Sequence, residues 1–258
     1  MLRCRTAIAG LIVLVTSAGS FAQETPGAQS GSVRLSRFGD LLREDHIELT
    51  EPSLIRALKN PNPEVRFLAS MKLAEDKAID AIPEVKEALA AEKDPRTRVN
   101  LAVGLGLLGD PGGRDELEGL CADQNFPPEF LLYAVRYIFD LRVEKDEGCL
   151  NAAEKIAQMV DADYHTAGYR IVALELLTHF RGLTPEESER VFHLVVGRLD
   201  DPEPTVRMQA SQSLIALGNP DAAIAYLEAA VAREKEESVR RVLEKNLEKL
   251  MGGHPKEN

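Results

Sequence analysis

Three groups of residues in this chain have the types that could do chemistry. Gly104-Leu105-Gly106-Leu107-Leu108-Gly109 matches the G-x-G-x-x-G dinucleotide fingerprint letter for letter. That fingerprint works between a strand and a helix, where backbone amides approach a pyrophosphate. Here Leu101, Leu105 and Leu108 frame it at helical spacing, so small residues permitting close helix contact are the better account. Asp161-Ala162-Asp163-Tyr164-His165 brings two carboxylates and an imidazole together but lacks the glycine and terminal Glu of a calcium loop. Helix capping is its expected role. His46, His165, His179, His193 and His254 show no zinc-binding spacing such as H-E-x-x-H, and no Cys stands close to any of them. With no nucleophile elbow, phosphate loop or paired-carboxylate motif, the expectation is a protein with no catalytic residues, no metal and no cofactor: not an enzyme.

The remaining reactive side chains are cysteines, and their compartment is set by the first 22 residues. Arg3 and Arg5 precede the apolar run from Ala7 to Val15, and Ser20-Phe21-Ala22 places small residues at the cleavage positions. This reads as a signal peptide at 1–22, which predicts export to the periplasm or outside the cell as a soluble protein, without membrane insertion after cleavage. A bilayer span needs about 20 apolar residues, more than this run supplies. Removing Arg3 and Arg5, and no acid, takes the net charge from −11 to −13. Such a charge repels nucleic acid and anionic membrane, and leaves a neutral or basic protein as the expected partner. Only Cys121 and Cys149 survive cleavage. A helix of about 13 residues between them would set them about 20 Å apart, against a disulfide reach of about 4.4 to 6.8 Å between Cα atoms, so two free thiols are expected.

The elements that position these residues come from a recurring skeleton, clearest as Val206, Arg207, Ala210, Leu214 and Leu217. Its Val slot is filled by Val65, Thr97, Phe130, Tyr169, Val206 and Val239, at intervals of 32, 33, 39, 37 and 33 residues. Slots at relative positions 0, +4, +8 and +11 fall on one stripe of a helix, and a period of this length indicates an array of helical pairs. Asn62-Pro63, Asp94-Pro95 and Asp201-Pro202 pair an N-cap acceptor with proline and mark helix starts. Gly109-Asp110-Pro111 and Gly218-Asn219-Pro220 mark helix ends. Second helices are expected at about 79–92, 113–121, 147–160, 185–199 and 220–233. The fold expected is all-α, a right-handed α-solenoid of about six helical-hairpin repeats over 33–251, with a flexible lead at 23–32 and a disordered tail at 252–258.

Asn62-Pro63-Glu64-Val65-Arg66, Asp201-Pro202-Glu203-Pro204-Thr205-Val206-Arg207 and Ala81-Ile82-Pro83-Glu84-Val85 together resemble HEAT repeats, most closely the variety found in phycobilisome lyases. The resemblance spans 53–250. It implies second helices that line a concave face and an array that holds another protein as a scaffold or adaptor. It also leaves open a tetrapyrrole lyase-like enzyme or a purely structural spacer.

Arg66, Arg98, Arg170, Arg207 and Arg240 recur one residue after the Val slot. A planar guanidinium bridges turns well, so this ladder is expected to pair with an Asp or a carbonyl of a neighbouring turn rather than with a ligand. Phe126, Phe130, Tyr133 and Tyr137 share one helix face, expected as bulky packing where the repeat is irregular. The second helices are acidic. Glu84, Glu87, Glu116, Glu118, Glu189 and Tyr226 are the expected partner-binding residues.

Overall fold

The computed structural model describes residues 37–159 and 164–252. The expected signal peptide and lead, Asp161, Asp163, the side chain of His165, and residues 253–258 of the expected tail, with His254, all lie outside the described residues. Those residues form thirteen α-helices and no strand: α1 (Arg37–Glu44), α2 (Glu51–Ala57), α3 (Pro63–Glu75), α4 (Ile82–Ala91), α5 (Pro95–Leu107), α6 (Pro111–Ala122), α7 (Pro128–Asp140), α8 (Glu147–Gln158), α9 (Tyr164–Leu177), α10 (Pro185–Gly197), α11 (Pro204–Ala216), α12 (Pro220–Arg233) and α13 (Glu237–Gly252). Seven of them open on proline, whose missing N–H falls where no intrahelical acceptor exists. Asn62 caps α3 through the Glu64 amide, and Asp94 caps α5 through that of Thr97.

The odd-numbered helices stack side by side in chain order, and each even-numbered helix packs on the odd-numbered one that follows it. Together they make an α-solenoid of helical pairs. Val65, Ala69, Leu73, Leu101, Leu105, Val206, Ala210, Leu214, Val239 and Leu243 are all buried on the inner stripe, a fully buried Leu or Val being worth about 1.5–3 kcal/mol. Hydrogen bonds stitch the odd-numbered layer. Ser213 donates to the Leu174 carbonyl at 3.1 Å, and Asn246 donates to Ser211 at 2.8 Å.

Five odd-numbered helices end alike, with a left-handed residue two positions beyond the last helical one. Gly109 and Gly218 take φ of +93° and +73°, and His46, Lys77 and Arg142 take 60°, 56° and 61°. Glycine marks such a turn in a sequence, whereas His, Lys and Arg do not, although each adopts the same C-terminal reversal.

The apparent dinucleotide fingerprint lies in α5 and its C-terminal turn. A Cβ on Gly104 would sit 2.1 Å from Ser70 Oγ of α3, and one on Gly113 of α6 would sit 2.3 Å from the Gly106 nitrogen and 2.4 Å from the Ala102 oxygen. The glycines let backbones touch. Because the obstacle at Gly113 is main chain, Gly113→Ala must push α6 off α5. A loss of about 1–3 kcal/mol is expected, read as a lower denaturation midpoint at unchanged slope.

Three expectations need correction. Phe130 and Tyr169 are only half-buried; the interior positions of α7 and α9 pass to Leu131 and Arg170, one residue on, which is about 100° round the helix. Asp201 is not the N-cap of α11, which begins at Pro204. Cys121 and Cys149 are not free thiols: they form a disulfide, with Cα atoms 4.7 Å apart. The length of α7 does not fix their separation, because the chain reverses at Arg142 and returns through residues 141–146. Six extended residues span about 20 Å, as far as α7 itself runs. The start of α8 is thereby set against the end of α6, where a Cβ on Gly148 would be 3.3 Å from the Ala122 nitrogen.

Candidate functional site

The arginine ladder is built into the turns between helical pairs. Arg66 forks onto Glu92 through Nε and Nη2 at 2.7 and 2.8 Å, while its Nη1 donates to the carbonyls of Asn60 and Pro61 at 2.8 and 3.1 Å. Arg207 repeats the arrangement, forking onto Glu234 at 2.7 and 3.0 Å and donating to the carbonyls of Asp201 and Pro202 at 2.9 and 3.2 Å. Burial alone would raise the Glu92 and Glu234 carboxyls. The arginine forks, with amides of the two following residues, hold both below the ordinary carboxylate range. Arg98 bonds Glu116 at 2.6 Å, and Arg240 donates to the Glu234 carbonyl. Arg170 differs from the rest in being fully buried; it bonds Asp201 at 2.9 Å and Thr166 at 3.0 Å. Glu92 and Glu234 were not singled out in the sequence, although the same Glu-Lys pair follows each arginine, at 92–93 and 234–235.

The expected partner-binding residues of the even-numbered helices fall into two groups. On α4 and α6, Glu87 pairs with Lys59 at 3.0 Å, Glu116 with Arg98, and Glu118 with Arg114 at 2.5 Å. Glu84 is half-buried, with one carboxylate oxygen buried and lacking a hydrogen-bond partner among the described residues. These carboxylates therefore do not form a bare acidic trough. The same holds further along, where both oxygens of Glu154 accept from Arg190 Nε and Glu187 accepts from Lys145.

Glu189 and Tyr226 behave differently. Together they line an open cavity of about 740 Å³ where α10 faces α12 and the connections 178–183 and 216–219. Phe192, His193 and Tyr226 form an aromatic corner there, with centroids 5.7 to 6.3 Å apart and planes at 63° to 89°. Phe192 is buried at the base, while Tyr226 and His193 are exposed. The Glu189 carboxylate is 74% exposed and lies 3.7 Å from His193 Nε2. Arg181, also on the lining, spends Nη1 on the carbonyls of Thr178 and Phe180 at 2.7 and 3.0 Å.

A second cavity, of about 760 Å³, is walled by Cys121, Phe126, Leu131, Ile156 and Met159 between α6, α7 and α8. Of the aromatic stripe on α7, Tyr133 is exposed, and burial raises the Tyr137 hydroxyl above its usual pKa. Bulky packing therefore does not account for the whole stripe. Cys121, Cys149 and Asp146 bring donor atoms within 4.8 Å of one another. The two sulfurs are bonded together, and Asp146 already accepts from the Cys149 amide at 2.7 Å, capping α8.

Residues 51–128, from α2 to the start of α7, match the family model for HEAT repeats. No curated protein matches the chain. The helical pairs continue beyond the matched segment, so the described chain is an all-α solenoid in which residues 51–128 match HEAT repeats. Repeats of this type commonly serve as protein-interaction scaffolds. No described helix is long and apolar enough to cross a membrane.

Proposed function

We propose that this protein is an exported, non-catalytic scaffold that binds another protein, neutral or basic in charge, on the face formed by its even-numbered helices. The observation that carries this reading is the α10–α12 cavity, where Glu189, His193 and Tyr226 are presented to solvent while Glu116, Glu118 and Glu154 of the same helical layer are paired with arginines within the fold. A binding surface needs exposed, preorganised groups, and this part of the face has them. Export is supported by the signal-like residues 1–22 and by the Cys121–Cys149 bond, which suits an oxidising compartment.

A photo-crosslinking residue placed at Tyr226, and in parallel at exposed Gln212 on the odd-numbered layer, tests the reading in the native exported fraction. One discrete protein crosslinked from position 226 and not from 212 is expected. Equal capture from both positions, or none from 226, overturns it.

A further inference from the structure

We propose that the α10–α12 cavity is a receptor for an arginine side chain carried on an extended segment of the bound protein. This rests on the scaffold reading above and adds the chemistry of the contact. Three rings set at steep angles make a corner rather than a stack, and its two solvent-exposed members, His193 and Tyr226, can offer ring faces to an incoming group over buried Phe192. Such faces attract a cation through the ring quadrupole, most readily a flat guanidinium, which also stacks. Glu189 stands at the mouth of that corner with an exposed carboxylate, the acceptor whose two oxygens match the guanidinium fork.

The other charges nearby fit the same occupant. Arg190, one residue on, is turned away onto Glu154, and Lys145 is held by Glu187, so neither cation competes for Glu189. Arg181 does line the cavity, fixed by the Thr178 and Phe180 carbonyls. Its remaining donors suit backbone carbonyls of an extended segment, as does the amide side chain of Asn219 on the same lining. A second cation is therefore directed to the Glu189 and Tyr226 end. With a net charge of −11, the chain as a whole favours approach of a basic group.

The test titrates the full chain with acetyl-Gly-Gly-Arg-Gly-Gly-amide and with the same peptide carrying citrulline, which keeps the shape and loses the charge. Chemical shifts of the His193 and Tyr226 ring signals report binding. The arginine peptide is expected to saturate these signals and to bind about tenfold more tightly than the citrulline peptide. Glu189→Gln and Tyr226→Ala should each weaken the arginine peptide by about the same factor, with an unchanged thermal midpoint showing that the fold persists. Equal shifts from the two peptides, or arginine binding that survives both substitutions, overturns the inference. Failure here with position-specific capture at 226 intact leaves the scaffold standing with a different contact. Peptide binding without any captured protein overturns the scaffold and not the receptor.

Discussion

Asp201→Ala is expected to destabilise the protein by about 3–5 kcal/mol, because it leaves a buried guanidinium without its counter-charge. Arg170 is fully enclosed and Asp201 is 3% exposed, so no water can take over when the carboxylate goes. The carboxylate has three duties. One oxygen accepts from Arg170 Nη2 at 2.9 Å and from the Glu203 amide at 3.0 Å, and the other accepts from Arg198 at 3.4 Å. Thr166 is too weak an acceptor to hold the charge alone, and Arg170 Nε already has no hydrogen-bond partner among the described residues. Removing Asp201 should therefore cost far more than removing an exposed pair such as Lys59–Glu87, worth about 0–1 kcal/mol. Replacing both members with apolar residues, Arg170→Met with Asp201→Leu, should recover most of the loss, since a matched apolar pair avoids the desolvation of both ions. Equilibrium urea unfolding of the three variants provides the comparison. An Asp201→Ala loss below about 1 kcal/mol would mean that the guanidinium reaches solvent.

That buried pair also shows where the sequence stops being legible. The period of the Val, Ala and Leu slots is visible because a helix stripe repeats whatever its neighbours do, and the observed second helices at α4, α6, α8, α10 and α12 fall where it places them. The rotation of each helix about its own axis is less legible. In α9 the interior position passes from Tyr169 to Arg170, and the distant Asp201 supplies the charge that makes a buried arginine tolerable there. Asp201-Pro202 reads like the capping pair Asp94-Pro95, yet its carboxylate faces inward to a partner 31 residues back. At the candidate site, Glu116 and Glu118 look as available in sequence as Glu189 does. What separates them is a cation at bonding distance: Arg98 reaches Glu116 from α5, which depends on how α5 and α6 are turned, whereas Arg114 stands one turn before Glu118 on α6 itself. Tyr226 and His193 are 33 positions apart, and nothing in their local sequence announces that they form one corner.

Removing the disulfide with Cys121→Ala and Cys149→Ala should cost about 3.5 kcal/mol, the loop-closure value for cysteines 28 positions apart. The mature chain should correspondingly give no reactive thiol until it is reduced. The position of the bond predicts a second effect beyond its size. In a repeat array each unit contacts only its neighbours, so the weakest joint decides whether the array unfolds as one body. α7 packs more sparsely against α5 and α9 than α3 does against α5 or α11 against α9, and the disulfide ties α6 to α8 across α7. Buried Val143, the Arg181-to-Glu144 backbone bond and the Lys145–Glu187 pair anchor the return loop, but each sits on the α8 side of the joint. Without the bond, the loss should concentrate where α7 joins α5 and α6. Urea unfolding, expected as a single transition for the oxidised protein, should then broaden or divide in two with a lower apparent slope. A double-Ala variant that keeps one sharp transition at full slope, merely shifted to lower urea, would show that helix packing alone couples the two halves. The disulfide would then act only on the unfolded chain.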